Sequence, residues 1–287
     1  MEEFIHAFLD HIQNVKGYAR NTLDAYRNDL KQFLNFAQNE EPHLSGWNRV
    51  DKPLLLSFIL HLKERGYTPA SVSRKVAVLK TFYHYLAERG AVLDDPTATL
   101  DSPRVQKQPP KILSPDDVER LLAAPAQRET AKFVRDRAIL ELLYAAGLRV
   151  SELAALNVAD MDFENRTTQC AMRGGERRVI PISPRANDAV KNYLLQSRAS
   201  FSPPVAEAAL FLNPQGGRLT RQGLWLIIRE YVRAAKISAP VTPHTLRHSF
   251  AAHALNRGES LESVQRVLGH SNISTTQVYA RFVEPKA

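Results

Sequence analysis

A single cysteine, Cys170, stands among 287 residues, so no disulfide can form within the chain, which fits a reducing compartment. Cys170 lies in TTQCAM, a run that reads as a strand, where a buried inert thiol is expected. No spacing of Cys and His suggests a structural zinc site. No window approaches the roughly 20 apolar residues that a membrane span needs. The start, MEEFIHAFLDHIQ, is acidic and amphipathic and lacks the basic head and apolar core of a signal peptide. A cytoplasmic chain with no membrane partner is therefore expected. Internal repeats and low-complexity segments are also missing, which sets aside solenoids and propellers.

What is present is ordinary in amount and uneven in place. Hydrophobic residues are 44% and charged residues 24%, as in globular proteins, and the length suits two domains. The net charge is +8. Residues 1–110 hold 14 Lys and Arg against 13 Asp and Glu, whereas residues 111–287 hold 24 against 17. The excess in the second part favours a polyanion, nucleic acid first.

The first hundred residues read as helices only. Apolar residues recur at helical spacing in Phe4, Ile5, Phe8, Leu9 and Ile12, then in Leu23, Tyr26, Leu30, Phe33 and Leu34, with Asn21 as the expected cap of the second run. A third helix follows Pro53 and stops at Gly66; a fourth starts near Thr68-Pro69 and ends at Gly90. Four helices of this length make a small bundle. Arg65, Arg74, Lys75 and Lys80 read either as a solvated face or as a grip on a nucleic-acid backbone. Five prolines between residues 95 and 115 mark a semi-rigid linker, so the expected division is 1–100, a linker over 101–112, and 113–287. Beyond it, Ser114-Pro115-Asp116-Asp117 opens a helix. The rest is mostly helical, with one β-hairpin expected over 167–172 and 177–182, its turn being Arg173 to Glu176.

Three segments concentrate polar residues beside Gly, Ser and Thr. In YAAGLRVSEL, Gly147 ends one helix, Ser151 is placed to cap the next, and Arg149 projects from the turn. In TPHTLRHSFAAHAL, Thr242 caps, and His244 and Arg247 lie one turn apart on one face with His248 beside them, a grouping that suits an anion at a helix start. In VLGHSNISTTQVYARF, Gly269 stops a helix, His270 sits in the turn, Ser274 or Thr275 caps the next helix, and Tyr279 projects from it. Singly, each feature is more often a surface arginine, a partly buried histidine or a core tyrosine.

Together and in this order, they resemble the tyrosine recombinase (phage integrase) family, whose pattern is Arg, Lys on a hairpin, His-x-x-Arg, His and Tyr. Arg149, His244, Arg247, His270 and Tyr279 match it, and the closest likeness is to the short Xer subgroup. The resemblance implies a mainly α fold: an N-terminal four-helix SAM-like core-binding domain and a mostly α catalytic domain with a small antiparallel sheet. It implies a site-specific recombinase that cuts and rejoins double-stranded DNA through a 3′-phosphotyrosyl link, as a homo- or hetero-tetramer with a related recombinase. No cofactor, metal or ATP is implied, since the phosphotyrosine keeps the bond energy. Arg149 and Arg247 would bind the phosphate, His244 would assist proton transfer, His270 would hydrogen-bond the phosphate, and Tyr279 would attack.

Two features depart from the pattern. The lysine position falls on Arg173, and no lysine occurs between Lys132 and Lys191. A guanidinium is poorly matched as a proton donor near neutrality, so slower cleavage, or another donor, is expected. Eight residues follow Tyr279, where Xer proteins commonly continue with a helix that docks into a neighbour, so assembly by that route is not expected. An extra arm-binding domain ahead of residue 1 is not expected. Resolution of chromosome dimers is the expected role; the alternatives are the integrase of a mobile element, a catalytically weak DNA-binding relative, or a topoisomerase using the same tyrosine chemistry.

Overall fold

Ile5, Phe8, Leu9 and Ile12 are all buried, the spacing that gives helix α1 (Glu2–Asn14) a single apolar stripe. The computed structural model of the chain describes residues 1–101, 109–127, 130–172, 175–201 and 207–283. Phe4, counted in the same run, is instead exposed. Helix α2 (Arg20–Glu40) buries Leu23, Leu30, Phe33 and Leu34. Its first residue precedes Asn21, because the carbonyl of Ala19 already accepts from Thr22 and Leu23; Asn21 lies within the helix and is not its cap.

Helices α3 (Lys52–Glu64) and α4 (Pro69–Glu88) each start on a side-chain cap with proline in the first turn. Asp51 accepts from the Leu54 N–H at 2.9 Å, and Thr68 accepts from the Ser71 N–H at 3.2 Å. Aromatic rings knit the four helices: Phe8 packs on Phe82 at 5.3 Å, Trp47 on Phe82 at 4.7 Å and Phe33 on Phe58 at 5.1 Å between centroids.

The basic stretch of α4 divides. Lys75 is buried, and its ammonium reaches Asp29 and Gln32 at 2.6 Å each. Arg74 pairs with the same Asp29. Lys75 is thus an internal strut and not part of a solvated face.

The chain divides into two compact units, residues 1–107 and 108–287. Most of the proline linker, residues 102–108, lies outside the described residues. In the second unit helix α5 (Pro115–Ala123) starts on Ser114, which accepts from the Asp117 N–H at 3.1 Å. Helix α6 (Ala131–Ala145) runs through the core, burying Ala138, Ile139, Leu140, Leu142 and Leu143. Buried Asp136 is held there by Arg135 and by the Tyr231 hydroxyl at 2.9 Å. Helices α8 (Pro184–Asn192) and α10 (Pro243–Asn256) pack on α6; α7 (Val150–Ala155) packs on α9 (Arg221–Ala234), and α11 (Leu261–Leu268) on α10 and on α12 (Ser274–Gln277).

The sheet has three antiparallel strands in the order β1 (Met161–Asp162), β2 (Thr167–Ala171) and β3 (Arg177–Pro181). Strand β1 is too short to leave a period-2 signal in the sequence and is an addition to the expected hairpin. Cys170 pairs with Arg178, and Thr168 with Ile180, and all four are buried. Burial pushes the Cys170 thiol up to about 12, which keeps it protonated and inert. A slip of one residue would turn Arg178 out to solvent. No helix among the described residues is long and apolar enough to cross a membrane.

Candidate active site

The site is built where two glycine turns meet α10. Gly147, just past α6, has φ 55, and a Cβ there would lie 2.5 Å from the Phe250 ring. Gly269 ends α11 with φ 62, and a Cβ there would lie 2.9 Å from a guanidinium nitrogen of Arg178. Both positions need the left-handed conformation and the missing side chain at once. The turns present Arg149 and His270; α10 presents His244, Arg247 and His248.

Glu152 is the anion at the centre. Its carboxylate accepts from the Arg149 backbone N–H at 2.7 Å and from the Arg149 guanidinium at 2.9 Å. It also pairs with Arg178 at 2.9 Å and lies 3.7 Å from Arg247. Burial would raise its pKa, but the hydrogen bonds from Arg178 and the Arg149 backbone, with the charges of both arginines, outweigh that and hold it below the usual range. The first of those contacts starts α7 at Val150, so Ser151 lies inside the helix and Glu152 takes the capping role expected of it.

Arg247 is buried, and its fork donates to the backbone carbonyls of Gly147 and Leu268, tying the two turns together. Burial, then the charge of Arg149, pull its pKa down to about 10, which leaves it a cation at neutral pH. Arg178 enters from β3, donates to the Val267 carbonyl at 2.9 Å, and keeps a buried Nη2 with no partner among the described residues.

His270 is half-buried in the α11–α12 turn, its Nδ1 2.9 Å from the Thr276 hydroxyl. Burial, then the charges of Arg247, Arg149 and Arg178, push its pKa down to about 4, so the ring is neutral at pH 7. An unfolded chain protonates this histidine near its ordinary value, so it binds more protons than the folded one as pH falls from about 6.5 towards 4. Stability present above pH 6.5 is therefore lost over that window. Discounted for partial exposure, His270 contributes about 2 kcal/mol of that loss. Urea unfolding at pH 7 and pH 4.5 checks this: the His270→Asn chain is expected to lose less stability between the two than the parent chain.

Tyr279 lies in a turn of 3-10 helix after α12, 4% exposed, among Phe250, Ala251, Val264 and Leu268. It faces the core and does not project to solvent. Burial raises the phenol pKa, and the charges of Arg247 and Arg149 act against that rise. Its hydroxyl is 2.6 Å from Nδ1 of His248. His244 is exposed one turn earlier on α10, its ring 6.4 Å from that of His248. Neither Ser274 nor Thr275 caps α12; the Ser274 N–H is taken by the Asn272 side chain at 2.9 Å.

Arg149 and Arg247 thus meet at Glu152, and their charges act on His270 and Tyr279, so the four lie near one another within a single chain, with His244 exposed beside His248. Arg173 lies outside the described residues. Sequence reasoning missed Glu152 and Arg178. Glu152 stands three residues after Arg149, a spacing that could have suggested a cap. Arg178 carried no signal beyond its place in an alternating strand. Among the described residues, no group of three or more His, Cys, Asp or Glu is placed to hold a metal ion.

Residues 111–284 match the phage integrase family, and residues 5–90 match the phage integrase N-terminal SAM-like domain. The tyrosine recombinase XerC of Roseiflexus sp. (strain RS-1) is 45% identical over 97% of this chain and 89% of its own length. The tyrosine recombinase XerD of Oceanobacillus iheyensis is 37% identical over 100% of this chain and 96% of its own length. Among solved structures, XerA recombinase is similar with a TM-score of 0.54 and 26% identity, over 96% of this chain and 92% of that one.

Proposed function

This chain belongs to the phage integrase family, and from that premise we propose that it is an Xer-like site-specific recombinase that uses Tyr279 to cut and rejoin double-stranded DNA. One observation carries the residue assignment: Arg149, Arg178 and Arg247 converge on the single carboxylate of Glu152 beside a tyrosine, leaving a fixed positive excess. A phosphodiester under attack gains negative charge on its non-bridging oxygens, which forked guanidinium donors match. Arg149 and Arg247 bind those oxygens. His270 Nδ1 is engaged by the Thr276 hydroxyl; in the tautomer in which Nδ1 accepts, Nε2 carries the proton and donates a hydrogen bond to the phosphate. Tyr279 attacks phosphorus, the 5′-oxygen leaves, and the product is a 3′-phosphotyrosyl link. The 5′-hydroxyl of a partner strand reverses the step. His244, exposed beside His248, assists proton transfer.

The protein works as a tetramer on two duplexes, with a second copy or a related recombinase, in the cytoplasm where the chromosome lies, and it resolves chromosome dimers. The test begins with duplexes selected from a random-sequence pool by binding to this chain. A nicked version of the selected site is expected to give an SDS-stable protein–DNA adduct that Tyr279→Phe abolishes. Two intact sites are expected to give exchanged products, and relaxation without exchange would instead indicate a topoisomerase. An adduct that survives Tyr279→Phe rules out the assigned nucleophile.

Arg173 stands where the family carries its general acid. Arg173→Lys restores a group whose pKa is closer to working pH. Cleavage of the nicked site is expected to speed up about tenfold or more, within the range general acids supply. A rate that is unchanged or lower shows that Arg173, or another donor, already serves.

A further inference from the structure

His248 is not part of the motif pattern, yet it is the side chain that touches the nucleophilic oxygen. We propose that His248 is the general base of strand cleavage, its Nδ1 taking the proton of the Tyr279 hydroxyl as that oxygen attacks phosphorus. This deepens the function above and rests on Tyr279 being the nucleophile.

Geometry comes first. Nδ1 of His248 lies 2.6 Å from the Tyr279 oxygen, within the reach of about 2.6–3.2 Å that a base requires. The rings stand 5.5 Å apart, and Tyr279 is packed against Phe250 and Ala251 of the same helix, so the pair is held by core contacts. Among the described residues no hydrogen bond joins His244, exposed one turn earlier, to Tyr279.

Protonation states agree with the geometry. Burial, then the charges of His244 and Arg247, lower the His248 pKa, so the ring is neutral at pH 7. Burial keeps Tyr279 protonated. A neutral imidazole with its proton on Nε2 has one acceptor, Nδ1, and the phenol then donates to it. The cations that act on this pair are Arg247 from the same helix and Arg149 from the α6–α7 turn, both also paired with the Glu152 carboxylate, and neutral His270 stands in the α11–α12 turn. They favour a phenolate over a phenol once DNA charge is balanced.

The step closes in atoms and electrons. The O–H bond of Tyr279 breaks, its proton goes to Nδ1, and its electron pair forms the new O–P bond. The P–O5′ bond breaks, and its pair leaves on the 5′-oxygen, which takes a proton from the general acid or from solvent. In rejoining, the imidazolium returns its proton to the departing tyrosinate, and its lowered pKa makes it a willing donor.

The test compares single-turnover cleavage of the selected nicked duplex by the full chain and by His248→Gln and His248→Asn. Thermal melting identifies which variant is folded, and that one is read. Each reaction is run with the ordinary 5′-oxygen and with a 5′-bridging sulfur, which leaves without needing a proton. The variant is expected to be slower by about 10²–10⁴-fold on both substrates, with DNA binding within about twofold of the parent. Introducing 3,5-difluorotyrosine at position 279, whose phenol ionises near neutrality, should shrink the cost of losing His248 by about tenfold or more, because the nucleophile then needs less help. A variant rate equal to or above that of the parent overturns the proposal, and a rise would make the contact a restraint on the resting enzyme. Recovery of the variant on the sulfur substrate also overturns it, since that places His248 on the leaving side. Tyr279→Phe gives no adduct with either substrate if the nucleophile is correct, so the two failures are separable.

Discussion

Glu152→Gln is expected to slow strand cleavage by at least about 10²-fold and to cost about 3–5 kcal/mol of stability. The carboxylate is the counter-ion for three guanidinium groups, and it also receives the backbone N–H that starts α7. The amide keeps the size and one acceptor, so the loss is chiefly of charge. Arg178 and Arg247, both buried, would then repel without compensation, and Arg149 would lose the contact that fixes its fork. Breaking a buried ion pair by removing one partner is costly for this reason. Burst-phase adduct formation and denaturant unfolding measure the two effects. The network makes a second demand: a chain with Glu152→Gln and Arg178→Met together should lose less than the sum of the single losses, because each change removes the same contact. A Glu152→Gln enzyme with near-parental cleavage would sink this account of the site.

The second large effect is expected at Arg247. Arg247→Lys keeps the charge and loses the fork that spans the Gly147 and Leu268 carbonyls. One ammonium cannot bridge both turns and still reach a phosphate, so the Gly147 turn bearing Arg149 and the Gly269 turn bearing His270 are no longer tied. Cleavage is expected to fall by about 10²–10³-fold, the usual cost of one donor to a developing anion. Duplex binding should weaken far less, since phosphate contacts elsewhere supply most of it. The ratio of the two losses is the readout. Binding and cleavage falling together would make Arg247 a docking residue and not a catalytic one.

The helices of the first unit were legible because each buries one stripe at a period near 3.6, and the caps at Ser114 and Thr242 were legible because short hydroxyl side chains accept from the third N–H. The caps at Asn21, Ser151 and Ser274 or Thr275 were misread for a common reason: another acceptor reached the free N–H groups first. Ala19 supplied its carbonyl, Glu152 its carboxylate and Asn272 its amide oxygen. Local composition cannot rank such competitors when they differ by a residue or two in position. Lys75 shows the same limit in another form: a lysine on a helix reads as solvated until Asp29, 46 residues away, is seen to bury it.

By itself the sequence determined the family, the order of the chemical groups and the two-part organisation, since these are carried by residue identity and spacing along the chain. Only the tertiary structure decided which groups act on which. It brought Arg178 onto Glu152 through the register of β2 and β3, tied two glycine turns through the Arg247 fork, and set the Tyr279 hydroxyl on His248. Hydrogen bonds need heavy atoms about 3 Å apart and charge coupling weakens with distance, and separations that short between residues tens of positions apart are fixed by packing.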